Sequence, residues 1–155
     1  MANNYVEFAF LIHLKDQACV DRVLDLARKI DAVSEDNRTH EGVPTEIADA
    51  LEGFDPSFSV GQISMPSGFA VVIESNNGDD GCAALLAQWC IRGGLTVNPW
   101  IAFELCWRCD RLRIGEFGGA AYFITADKIN QFDTDRWVRG QFAMFDASND
   151  PIKTT

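Results

Sequence analysis

Residues 5–14 read YVEFAFLIHL. Val6, Phe8, Phe10, Ile12 and Leu14 fall on one parity; Glu7, Ala9, Leu11 and His13 fall on the other. A period of two sustained over ten residues is a strand with one buried face. The period then changes. In residues 16–30, Cys19, Val23, Leu26, Ala27 and Ile30 recur at helical spacing, with Asp16 placed to cap the start. A strand followed directly by an amphipathic helix sets the pattern for the rest of the chain.

Further along, residues 58–65 (FSVGQISM) and 69–75 (FAVVIES) flank Pro66, Ser67 and Gly68, which is the composition of a hairpin turn. A polar loop at 76–81 leads into a second helix, with Asp79 or Asp80 as its cap. Its expected face is Cys82, Leu85, Leu86 and Trp89, and Gly93 and Gly94 stop it. Residues 100–106 (WIAFELC) and 120–125 (AAYFIT) read as two more strands, and 127–131 as a short helix before a tail with no clear pattern. Between the first helix and the hairpin, Ile47, Ala48 and Leu51 follow Pro44, which suits the start of a small helix ended by Gly53.

The order is strand, helix, hairpin, helix, strand, plus one added strand. This predicts an α+β fold, a ferredoxin-like two-layer sandwich with helices on one face of an antiparallel sheet. The expected sheet order, by first residue, is 120, 100, 5, 69, 58. No repeat or linker divides the chain, so residues 1–155 are expected to form a single domain.

Composition narrows the function classes. The chain has 155 residues, 47% of them apolar, with 11 Phe and 4 Trp, which is enough for a core and unlike a disordered tail. With 23 acidic against 13 basic residues the net charge is −10, the wrong sign for coating nucleic acid. No apolar run reaches membrane-spanning length. The N-terminus has no basic segment and Glu7 interrupts its apolar stretch, so a secretory signal is not expected and the cytoplasm is the expected location. Five cysteines without a signal do not suggest a disulfide framework, and the Asn37-Arg38-Thr39 sequon then carries no meaning.

Several motifs carry chemistry. Cys106 and Cys109 form a C-x-x-C, but zinc needs four ligands, and within a strand positions i and i+3 face opposite sides. They are expected to be ordinary strand-end thiols, with no metal or cofactor implied. Arg108, Arg111 and Arg113 precede a glycine-rich run ending in Gly118 and Gly119, which could cradle an anion or simply form a loop feeding a strand. By parity, Glu7, His13, Glu74, Glu104 and Arg108 share the uncovered sheet face. That face could do acid–base chemistry, or be solvated, or be buried in a dimer. The loop at 76–81 fails the EF-hand pattern, because its twelfth position is Ala87. The four tryptophans are read as core and interface residues.

Residues 31–55 hold eight acids and one arginine. A surface of that kind can meet a basic protein groove or imitate the phosphates that such a groove binds.

The segment 109–129, CDRLRIGEFGGAAYFITADKI, resembles the C-terminal signature of small uncharacterised proteins carried by phages, plasmids and integrative elements. The ESNNG at 74–78, ahead of a helix, is similar to that group as well. Ala120 stands where the group's third glycine falls, and residues 110–113 (DRLR) depart from its usual Ser-Lys-Pro-Arg. The resemblance implies a mobile-element accessory protein, of a kind that often counters host defences.

These readings converge on three expectations. The first is a non-enzymatic module that binds a protein partner, such as a basic nucleic-acid-binding or defence protein. It would dock through Glu35, Asp36, Glu41, Glu46, Asp49 and Glu52, without direct nucleic-acid or membrane contact. The second is a small-molecule or nucleotide-handling enzyme using Glu7, His13, Glu104, Arg111, Arg113, Gly118 and Gly119. The third is a structural homodimer sealed through Ala9, Leu11, Trp100 and Ala102.

Overall fold

The computed structural model describes residues 4–36, 42–51, 57–109 and 117–148. β1 (Asn4–Leu14) realises the alternation of its sequence: Phe8, Phe10, Ile12 and Leu14 are buried, while Ala9, Leu11 and His13 are exposed. α1 (Gln17–Asp36) starts behind Asp16, whose Oδ1 accepts the Cys19 N–H at 2.8 Å. This bond satisfies one of the four free N–H groups of the first turn and holds the Asp16 carboxyl below its ordinary pKa. The helix buries Val20, Val23, Leu26 and Ile30, then runs past the periodic stretch to Asp36.

α2 (Thr45–Leu51) follows Pro44, whose carbonyl accepts from the N–H groups of Ile47 and Ala48. It buries Ile47, Ala48 and Leu51, the apolar patch of its sequence. β2 (Phe58–Ile63) and β3 (Phe69–Ser75) form the hairpin, with Phe58 opposite Ser75 and Gly68 at φ 87° in the turn.

α3 (Asp80–Arg92) differs from expectation at both its cap and its face. Asp79 occupies the cap position at φ 62° but makes no side-chain cap bond. Its carboxylate instead accepts the Ser57 N–H at 2.6 Å, tying the loop to the start of β2. Ala83, Leu86, Ala87 and Cys90 are essentially inaccessible, whereas Leu85 and Trp89 are half-buried. The reason is that α3 lies between the sheet and α2, so small side chains face both neighbours. Its C-terminus is a Schellman motif: Leu95 N–H reaches the Cys90 carbonyl, Gly94 N–H reaches Ile91, and Gly94 takes φ 67°.

β4 (Trp100–Cys109) alternates along its length, with Ile101, Phe103 and Leu105 inward and Trp100, Ala102, Glu104 and Cys106 outward. β5 (Gly118–Thr125) turns through Ala126, Asp127 and Lys128 into β6 (Ile129–Asp133), closed by Thr125 N–H donating to the Lys128 carbonyl. The short helix expected at 127–131 is therefore a strand. The three-residue connection (126–128) and the ladder from Ala120 opposite Asp133 to Ile124 opposite Ile129 outweigh any local helical tendency. The tail without a clear pattern is a helix, α4 (Thr134–Ser148).

The sheet is antiparallel and six-stranded, in the order β2-β3-β1-β4-β5-β6. The first five strands stand in the order expected from the sequence, and β6 forms the edge. α1, α2 and α3 share one core cluster with the inward side chains of the sheet. At its centre Phe103 stacks on Phe10 at 4.1 Å between ring centroids and on Tyr122 at 4.7 Å. Tyr122 donates its hydroxyl to the Asp80 carboxylate on α3.

Candidate interaction surface

The opposite face of the sheet carries the polar side chains that parity assigned to it, together with aromatic ones. The register places Ser59, Glu74 and Ala9 abreast on β2, β3 and β1, and Glu104, Ala121 and Phe132 abreast on β4, β5 and β6. Two residues along, Ala102 faces Phe123, and Phe123 faces Asn130. Trp100 stacks against Phe123 at 5.9 Å between centroids, with 16° between the ring planes. Trp100, Phe123 and Phe132 are 46%, 47% and 51% exposed, so this second aromatic cluster is uncovered. A groove of about 530 Å³ runs across β4, β5 and β6, with Ala102 and Ala121 as its floor and Glu104, Phe123 and Phe132 beside it.

The charged groups of this face are dispersed. Arg108 Nε lies 2.8 Å from Glu7 Oε1, and its guanidinium sits 4.9 Å from the Tyr5 ring centroid. Glu7 lines a groove of about 650 Å³ with Glu74, Ser57, Ser59 and Asn76. Glu74 and Glu104 are exposed and have no cationic partner among the described residues.

His13 lies elsewhere. It is six residues from Glu7 along β1, roughly 20 Å at the rise of a strand. The β1–β4 ladder ends at Phe8 and Leu105; beyond it Leu14 bridges Thr96, and Val97 N–H donates to the His13 carbonyl. His13 lines a separate cleft of about 260 Å³ with Leu11, Thr96, Asn98 and Trp100. The structure thus pairs Glu7 with Arg108 and sets Glu74 in the same groove as Glu7, but leaves Glu104 in the groove across β4, β5 and β6 and His13 in a third cleft.

Gly118 and Gly119 have a packing role. A Cβ on Gly118 would meet Trp107 Cε3 and Thr134 Oγ1, each at 2.8 Å, and one on Gly119 would meet the Leu105 carbonyl oxygen at 2.7 Å. Their missing side chains let β5 lie against β4 and α4. Cys106 is on the open face and Cys109 on the core face, so their side chains point away from each other across β4. Burial pushes the Cys82 thiol up to about 11 and the Cys90 thiol up to about 12, which keeps both as unreactive thiols.

Of the acidic stretch, Glu46 and Asp49 project from α2 into solvent, and Glu46 Oε1 lies 3.8 Å from Arg92 Nη1. Glu35 and Asp36 fall in the last turn of α1. Glu41 and Glu52 lie outside the described residues, as do the Asn37 sequon, Gly53, Arg111 and Arg113.

One feature of this surface was missed in the sequence. α4 exposes every one of its residues, including Trp137 at 54%, Phe142 at 66% and Phe145 at 66%. The available signal was the spacing of Trp137, Val138, Phe142 and Phe145, a stripe along one side of a helix. No helix is long and apolar enough to cross a membrane among the described residues. The chain matches no protein-family model, no curated protein and no solved structure.

Proposed function

We propose that this protein is a non-catalytic interaction module that docks through the uncovered face of its sheet. The observation that carries this reading is the exposed cluster of Trp100, Phe123 and Phe132 on β4, β5 and β6. Solvated sheet faces alternate apolar inward with polar outward, and large aromatics grouped on the outer side favour a protein contact. The strand order and the helix-covered face support a ferredoxin-like description, extended by β6 and α4. The resemblance of residues 109–129 to mobile-element proteins supports an accessory role in a cytoplasmic setting.

A second reading has its own support. The net charge of −10 and the exposed Glu46 and Asp49 favour an acidic surface that meets a basic nucleic-acid-binding or defence protein by charge mimicry. The two surfaces lie on different sides of the molecule, since α2 packs with α3 over the covered face.

Paired variants separate the readings. The purified chain, Phe123→Asp and the double reversal Glu46→Lys, Asp49→Lys are used as bait in lysate of a bacterial host, at rising salt. Loss of a captured protein with Phe123→Asp alone supports the sheet face. Loss with the reversal alone, and release by salt in the wild type, supports mimicry. Capture indifferent to both sets of changes overturns both readings.

A further inference from the structure

We infer that the occupant of the open sheet face is helix α4 of a second copy of this chain, exchanged reciprocally in a two-fold dimer. The inference rests on reading that face as a docking surface, and it names the partner.

The helix itself calls for a cover. α4 has 15 residues and buries none of them. Isolated helices of that length are marginal in water, and helices in proteins draw most of their stability from packing an amphipathic face. Trp137, Val138, Phe142 and Phe145 form such a face. From Trp137 to Phe145 it spans about 12 Å at 1.5 Å per residue. The groove across β4, β5 and β6 is about 10 Å wide at the usual strand spacing. Stripe and groove therefore match in extent.

The chain's own geometry keeps α4 out of its own groove. β6 ends at Asp133 and α4 begins at Thr134, with no residue between them. The junction is pinned on both sides. Asp133 Oδ1 accepts the Arg136 N–H at 2.6 Å, and Thr134 Oγ1 accepts the Gly119 N–H at 3.0 Å. Folding back over the sheet would need a connection of several residues, which is absent.

Area and charge both favour a second copy. Three aromatics on the open sheet face and three on α4 are between 46% and 66% exposed. At ~150–250 Å² per aromatic side chain they present on the order of 600 Å² per protomer. Val138 and Met144, 43% and 67% exposed, bring this toward the ~800 Å² per partner of a standard interface. In a two-fold arrangement each protomer gives one helix and one groove, so both patches are buried on both copies. Two acidic chains repel, yet α4 balances Arg136 and Arg139 against Asp135 and Asp146. It is thus a neutral segment of an acidic chain, and its arginines, which lie 3.8 Å from Asp133 and 2.9 Å from Asp135 in the chain itself, can also meet Glu104, which has no cationic partner among the described residues and lies beside the groove.

The test is sedimentation velocity on the full chain from 1 to 200 µM, with Phe142→Asp on the helix and Phe123→Asp on the groove. The wild type is expected to pass from monomer to dimer. Each variant is expected to weaken association at least 100-fold while keeping the circular dichroism spectrum of the dilute, monomeric wild type, since both side chains are exposed. Mixing the two variants is expected to restore a heterodimer, because the intact helix of one meets the intact groove of the other. Dimers that survive Phe142→Asp, or variants that fail to complement, overturn the helix exchange. So does a wild type that stays monomeric at every concentration, and so does a monomer whose α4 binds lipid vesicles instead. A monomer that still captures another protein through Phe123 would overturn the exchange and leave the sheet face standing as a docking surface.

Discussion

β4 and β5 carry an aromatic cluster on each of their two faces. On one side Phe103 is sandwiched between Phe10 and Tyr122 beneath the helices, and on the other Trp100 stacks on Phe123 with both rings about half exposed. The strands, the register and the residue types are alike. Only the cover differs. Burial on the first side is accounted for within the chain, so its aromatics explain folding. On the second side Trp100 and Phe123 stay 46% and 47% exposed, so their burial is left to the contact proposed above. The comparison turns a compositional fact, the high aromatic content, into two separate physical roles.

The largest effect should come from removing the inner cluster. Phe103→Ala is expected to cost about 3–5 kcal/mol in denaturant unfolding, because it removes a buried ring and leaves a cavity between β1 and β5. A loss under about 1 kcal/mol would mean that the ring stack does not hold β4 in the core, and the contrast with the outer face would fall with it.

Tyr122 sharpens the comparison through pH. Burial first, and the Asp80 carboxylate second, raise its phenol above the ordinary value of 10.0 in the folded chain. A raised pKa means that the folded state favours the neutral hydroxyl. Its contribution is therefore complete below pH 10 and is lost as the pH climbs from there toward the folded value. Tyr122→Phe keeps the stack on Phe103 but removes the bond to Asp80, at a cost of about 1.5 kcal/mol at neutral pH. The variant should also show a shallower loss of stability above pH 10. Parallel stability profiles for the two proteins between pH 9 and 11 would show that Tyr122 is not held neutral by the fold.

The inner side of this contrast could be read from sequence and the outer side only in part. The alternation in residues 5–14 and 100–106, the Pro66-Ser67-Gly68 turn and the Asp16 cap each have a local cause acting over a few residues. They therefore appear directly in the sequence. β6 has no such signal: in Ile129-Asn-Gln-Phe-Asp133 neither parity is buried, so no apolar alternation marks it. α4 buries nothing in its own chain, so its stripe could not be matched to a core. Parity correctly put Glu7, His13 and Glu104 on one face, but it carries no distance. Only the strand rise and the ladder ending at Phe8 separate His13 from the two carboxylates. The adjacent pair Tyr122-Phe123 did hold a clue, since consecutive strand residues face opposite sides and one of the two aromatics had to be exposed.

The smallest expected effect on folding is the most informative one. Phe123→Ala deletes a ring from the same strand as Tyr122, one residue along, yet it should change the stability of the dilute monomer by about 1 kcal/mol or less, the worth of an exposed aromatic pair. Concentration should then separate the two proteins. Association that favours the folded state raises apparent stability by mass action, so the wild-type melting temperature should climb between micromolar and hundreds of micromolar protein, while that of Phe123→Ala should stay flat. A loss of several kcal/mol in the dilute variant would assign Phe123 to the fold, and the outer cluster would become a second core rather than a contact surface. Equal concentration dependence in the two proteins would move any self-association away from the β4–β6 groove. The flat and climbing curves together would show that one strand serves folding through its inward residues and assembly through its outward ones.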